Sequence, residues 1–300
     1  MTLAELIQKR TIVLTDGAWG TEIAKRGFDP GSCPELFNVT EPGMIREIAA
    51  SYADAGSDII LTNTFGGSTL KLARYGLEDR VEQLNEAGVR LSVEASAGRA
   101  LVTASIGPTG DFLAPLGAVS ESEMIAAFAR QVKAFVRAGA GAVVVETMSD
   151  LGEAVCAVRA VKDNSDLEVV CSMTFDSGVR GFATMMGVTP EKAAGGIEAA
   201  GADAVGSNCG TGIETMIRIA KHLRTATGLP LWIKPNAGIP ELVEGETVFP
   251  DTPDEMAAHI PALVRAGVTF IGGCCGSTPD HIRRFRKTID SLRKKTAKRA

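Results

Sequence analysis

The chain has 300 residues, of which 45% are hydrophobic and 5% aromatic, with 33 glycines and a formal net charge of −5. That content can bury a sizeable core, and the length fits one α/β barrel or two ordinary domains. No apolar run approaches the ~18–20 residues needed to span a bilayer, and the start, Met1 to Glu5, lacks the basic-then-apolar pattern of a signal peptide. The expected location is therefore cytoplasmic, with the six cysteines as free thiols or metal ligands.

Short β-branched runs alternate with helical patterns along the chain. The expected strands, in order, cover 11–15, 58–62, 101–105, 142–146, 168–173, 204–207, 231–234 and 269–272. Amphipathic segments such as 44–55, 122–138 and 253–266 lie between them. Eight strands, each followed by a helix, predict a single (β/α)8 TIM barrel over residues 1–300, with its active site at the C-terminal rim. A doubly wound sheet is the alternative, but it more usually has five or six strands.

The net charge is unevenly placed. From His281 onward nine Lys or Arg face one Asp, giving +8, whereas the preceding 280 residues carry −13. Ile282, Phe285, Ile289 and Leu292 recur at helical spacing in this basic segment. An amphipathic last helix with a solvated basic face is the expectation, not a nucleic-acid site, because the acidic remainder repels phosphate.

An internal repeat fixes the register of the even strands. Ala55-Gly56, Ala138-Gly139, Ala200-Gly201 and Ala266-Gly267 each end a helical pattern, where glycine supplies the left-handed stop. Seven residues beyond each glycine stand Asn63, Glu146, Asn208 and Cys274; one further on stand Thr64, Thr147, Cys209 and Cys275. Alternate strands share a layer in such a barrel, so all eight residues are expected at one rim.

Three of them are cysteines. Cys274 and Cys275 are neighbours and cannot form a relaxed disulfide, and Gly272, Gly273 and Gly276 permit a turn that aims both sulfurs at one point. With Cys209 they supply three thiolates and leave a fourth position open, the pattern of a catalytic zinc site. The alternative is three small buried core cysteines, the reading that suits Cys156 and Cys171. Three thiolates on Zn2+ make a poor Lewis acid but a good centre for holding a fourth thiolate in nucleophilic form. The chemistry favoured is alkyl transfer to a substrate thiol.

Other rim residues suit a small amino-acid thiol. Asp16 and Glu146 are candidates for a substrate ammonium, although Asp16 would serve equally as a helix cap. Backbone amides of Gly17, Ala18, Trp19 and Gly20 are candidates for its carboxylate. Asn63, Thr64, Ser105 and Asn208 complete the candidate substrate contacts, and Asn236 is a possible fourth metal ligand when substrate is absent.

The motifs DGAWGTE, TNTFGG, SIGPTG, VVET, SNCG, KPNAG and GGCCG span nearly the whole chain. On them the sequence resembles the homocysteine S-methyltransferase family, and most of all the homocysteine-binding zinc module of cobalamin-dependent methionine synthase. The resemblance implies zinc on Cys209, Cys274 and Cys275, with Asn236 able to take the fourth position. It also implies homocysteine contacts at Asp16 through Gly20 and at Glu146, and methionine as product. Betaine-dependent relatives carry tyrosine after the strand-4 glutamate, where this chain has Thr147. No corrinoid-binding signature appears, so the implied methyl donor is methylcobalamin on a separate corrinoid protein. S-methylmethionine or S-adenosylmethionine comes next, and another small thiol is an alternative acceptor. Two rivals use the same residues differently: a phosphate-ester enzyme built on the glycine-rich GGCCGSTPDHI loop, and a non-catalytic zinc- or thiol-binding subunit.

Overall fold

Alternation of apolar strands with amphipathic helices closes the chain into a barrel. The computed structural model describes residues 1–28, 31–178, 181–243 and 245–297. Its eight barrel strands are β1 (Val13–Leu14), β2 (Ile59–Ile60), β3 (Leu101–Ile106), β4 (Ala142–Met148), β5 (Val169–Met173), β6 (Ala204–Gly212), β7 (Leu231–Asn236) and β8 (Val268–Ile271). They pair in parallel in the order β1-β8-β7-β6-β5-β4-β3-β2. This is the expected TIM-barrel arrangement, with helices around the sheet.

The seam between β1 and β2 is held partly by side chains. Asp58 donates its amide to Leu14 O at 2.7 Å, and its Oδ2 accepts the Leu14 amide at 2.9 Å. At the opposite end of the seam, Asp16 Oδ2 accepts the Leu61 amide at 2.7 Å. Carboxylates thus stand in for ladder partners that the two shortest strands cannot supply.

Period-two alternation divides the strands between two cores. Val13, Ile59, Leu101, Val144, Val170, Trp232 and Phe270 pack inside the barrel with Leu3 and Leu6 of the N-terminal helix. Their neighbours Leu14, Ile60, Val143, Val145, Ile233 and Ile271 face the helices. Two residues beyond Val144 and Trp232, the same inward face carries Glu146 and Lys234, so both charges arrive over an apolar barrel interior. A Cβ at Gly206 would strike the backbone of Trp232, which is why only glycine fits beside that indole.

The glycines of the repeat, Gly56, Gly139, Gly201 and Gly267, all have φ between 81° and 96°, the left-handed stop expected of them. The last helix, Pro279–Ala297, buries Ile282, Phe285 and Ile289. Its Arg286 meets Asp58 at 3.1 Å. Residues 298–300 of the basic segment lie outside the described residues. Among the described residues no helix is long and apolar enough to cross a membrane. Two short antiparallel strand pairs lie outside the expected pattern: Asp176–Gly178 with Gly181–Ala183, and Glu241–Val243 with Glu246–Val248. Both follow barrel strands on the C-terminal side.

Candidate active site

The repeat register delivers Cys209 from β6 and Cys274 and Cys275 from the turn after β8. Their sulfurs lie within 4.8 Å of one another, with Cys209 Sγ and Cys275 Sγ 3.8 Å apart. The turn is pinned from both sides. Cys274 donates its amide to Pro235 O at 2.7 Å, Ala237 donates to Cys275 O at 2.9 Å, and Gly273 donates to Asp16 O at 3.0 Å. Ser277 Oγ closes it by donating to Cys274 O at 2.7 Å. A Cβ at Gly272 would collide with Thr15 Oγ1 and one at Gly273 with Ser277 Oγ, so the approach to Thr15 requires the first glycine and the closed turn the second.

The backbone at the rim is strained where the sulfurs are presented. Cys209 has φ +60° and Thr147 has φ +64°, left-handed values that non-glycine residues rarely adopt. Thr147 is fixed by Asn208, whose Oδ1 accepts the Thr147 amide at 2.8 Å and whose Nδ2 donates to Thr147 Oγ1 at 2.7 Å. Asn208 Oδ1 also accepts Ser172 Oγ at 2.5 Å, and Nδ2 reaches Cys274 Sγ at 3.8 Å.

The three thiols lie close enough to influence one another's ionisation. Hydrogen bonds from Cys274 and Cys275, aided by the Gly210 amide and Asn236, pull the Cys209 thiol well below its ordinary range. The interaction with Cys209 pushes Cys274 and Cys275 the other way. Among the three, Cys209 is the sulfur whose surroundings most favour the thiolate form. By contrast, burial alone pushes the remote Cys171 thiol upward, and Cys156 rises to about 11, chiefly from burial. The cluster and the core cysteines are chemically distinct.

The donor set fits a thiophilic metal. Three convergent sulfurs match the ligand preference of zinc. Asn236 adds a side chain bonded to Cys209 whose buried Oδ1 has no partner.

A cavity of about 250 Å3 opens beside the sulfurs, lined by Gly17 to Gly20, Asn63, Ser105, Glu146, Thr147 and the three cysteines, among others. Ligand pockets run from ~300 to 1,000 Å3, so this one suits an amino-acid-sized molecule. Glu146 is buried, and Ser105 Oγ donates to its Oε1 at 2.6 Å. Burial raises the Glu146 carboxyl above its usual value, opposed by the Lys234 charge and the Ser105 bond.

Three expected substrate contacts, and the possible fourth metal ligand, do not line the cavity. Asp16 is fully buried and does not line the cavity: Oδ1 takes Lys234 Nζ at 2.7 Å, and Oδ2 takes Trp19 Nε1 at 2.9 Å and the Leu61 amide. With three donors bound, it positions the wall instead of facing a ligand. Thr64 turns away to Ser105 O at 2.8 Å, Asn208 sits behind Thr147, and Asn236 stands beside Cys209 outside the cavity wall. The Ala18 amide is engaged by Ser277 O at 3.3 Å. Conversely, Lys234, Glu35, Thr62 and Phe65 line the cavity without having been singled out. Lys234 had a legible signal, a charge ending the apolar run Leu231-Trp232-Ile233. Glu35 comes from the single 3-10 turn Pro34–Leu36 and Phe65 from a loop, and no periodicity reveals the path of either.

The family profile described as homocysteine S-methyltransferase matches residues 13–289. The chain belongs to the homocysteine S-methyltransferase family. It is 31% identical to a methionine synthase of Mycobacterium leprae over 96% of its own length, and 30% identical to that of Mycobacterium tuberculosis over 97%. It spans about a quarter of the length of each. The crystal structure of the homocysteine methyltransferase MmuM from Escherichia coli, metallated form, superposes with a TM-score of 0.80 at 26% identity, covering 95% of this chain and 99% of that one. The chain is thus a methyltransferase-family barrel with a cysteine triad at its rim.

Proposed function

We propose that this barrel transfers a methyl group to homocysteine, giving methionine, with zinc on Cys209, Cys274 and Cys275. The observation that carries the reading is the convergence of three sulfurs, within 4.8 Å of one another, on a cavity of amino-acid size. Bound there, zinc would supply deprotonation of the acceptor thiol while three anionic ligands keep that sulfur nucleophilic. Asn236, whose Oδ1 has no partner, is proposed as the fourth ligand before the acceptor binds.

This chain's own residues then bind and orient. Glu146, fixed by Ser105, accepts the acceptor's ammonium, and the main chain at Gly17, Trp19 and Gly20 flanks its carboxylate. Asp16 holds Trp19 and Lys234 in place behind the wall. Asn208 keeps Thr147 and Cys274 in register. Asn63 and Ser105 complete the polar lining.

The donor is proposed to be methylcobalamin on a separate corrinoid protein. The similarity to two methionine synthases over nearly the whole of this chain supports this over S-methylmethionine or S-adenosylmethionine. We read the 300 residues as one module acting in the cytoplasm, where its thiols stay reduced. Incubating the zinc-loaded protein with homocysteine and each donor in turn, then assaying methionine, tests the reading. Methionine from the methylated corrinoid protein is expected; none from any donor would overturn it.

A further inference from the structure

Lys234 is the one basic side chain lining the cavity among the described residues. Its side chain is 2% exposed, extended from β7 over the Trp232 ring with Nζ 5.9 Å from the ring centroid. An ammonium offers three N–H donors. Among the described residues Nζ makes one hydrogen bond, to Asp16 Oδ1 at 2.7 Å. The remaining donors of a buried ammonium need partners.

Asp16 has no spare capacity to offer, since Trp19 and Leu61 occupy its other oxygen. Glu146 interacts with Lys234 through space, but the hydrogen bond it accepts comes from Ser105. Acidic and thiol groups also outnumber cations here: Glu146, Asp16 and the three cysteines gather at one end of the barrel around Lys234. An acceptor carboxylate entering that field is repelled unless a cation meets it.

We propose that Lys234 binds the carboxylate of the acceptor, opposite Glu146, so that an α-amino-acid thiol is recognised by a pair of opposed charges. The main chain at Gly17, Trp19 and Gly20 assists, but Lys234 carries the charge selection. The inference rests on homocysteine being the acceptor. It makes the site select against thiols that lack a carboxylate.

The test is calorimetric titration of the zinc-loaded full chain with three thiols: homocysteine, 4-mercaptobutanoate, which lacks the ammonium, and 3-aminopropane-1-thiol, which lacks the carboxylate. The variants are Lys234→Met and the double variant Asp16→Asn with Lys234→Met, which removes the buried charges together and so guards against misfolding. In the double variant, affinity for homocysteine and 4-mercaptobutanoate should fall by about 10- to 100-fold. Affinity for 3-aminopropane-1-thiol should stay within about threefold, as befits a ligand with no group for Lys234 to hold. Equal losses for all three thiols, or undiminished binding of the two carboxylates, would overturn the assignment. Failure of the unmodified protein to bind homocysteine would overturn the acceptor itself, and this inference with it.

Discussion

Asn208 grips Thr147 at both ends, accepting its amide at 2.8 Å and donating to its hydroxyl at 2.7 Å. The grip holds a β-branched residue at φ +64° and leaves Asn208 Nδ2 directed also at Cys274 Sγ. Residues that orient metal ligands from behind typically change metal affinity ~10- to 100-fold when removed. Asn208→Ala should therefore weaken zinc binding by about that factor, measured by competition with a chromophoric chelator, with all three cysteines retained.

Asp16 and Lys234 form a buried ion pair whose lysine end borders the cavity. Burial works against the Lys234 charge, yet Asp16 and Glu146 hold its pKa above the usual lysine value. Removing one partner strands the other. Asp16→Asn should cost about 3–5 kcal/mol in urea unfolding, and adding Lys234→Met should restore part of that loss. Additive losses would show that the two side chains are not coupled.

Glu146 must be ionised to hold an ammonium, and burial raises its pKa above the ordinary glutamate value. Homocysteine affinity should consequently decline, as pH falls, at a higher pH than an exposed glutamate would give. Glu146→Gln should lower affinity about 10- to 100-fold at neutral pH and abolish that component of the pH dependence. Parallel titrations of the two proteins from neutral to mildly acidic pH check both points.

His281 provides a pH test away from the site. Its Nδ1 accepts the Thr278 amide at 3.1 Å while Nε2 faces Asp251 O at 3.0 Å, an arrangement only the neutral ring satisfies. Burial depresses its pKa below the ordinary 6.5. The neutral form is the stabilising one, so its contribution is complete above pH 6.5 and is lost as pH falls through the lower folded value. The slope of Tm against pH below 6.5 should be shallower in His281→Gln than in the unmodified protein.

Much of the architecture was legible because two periodicities and one repeat agree. The apolar runs gave all eight strands to within a few residues, and the four Ala-Gly stops set one register that predicted which residues share the rim. The short hairpins after β5 and β7 were not legible, since Asp176-Ser177-Gly178 and Glu241-Leu242-Val243 carry no alternating apolar face to bury. The direction of side chains at the rim was only partly readable. Spacing placed Asp16 near the cavity, but nothing local to it reveals that Lys234, 218 residues away, would occupy its carboxylate. The same holds for Asn208, whose role depends on the conformation of Thr147 across the sheet.

On the proposed function the cysteine triad binds zinc and the acceptor's sulfur joins it. X-ray absorption at the zinc edge, with and without homocysteine, reads this directly. The expected result is three sulfur ligands plus one oxygen or nitrogen in the resting protein, becoming four sulfurs when homocysteine is added. A protein that takes up no zinc through Cys209, Cys274 and Cys275, or a zinc shell that homocysteine leaves unchanged, would contradict it.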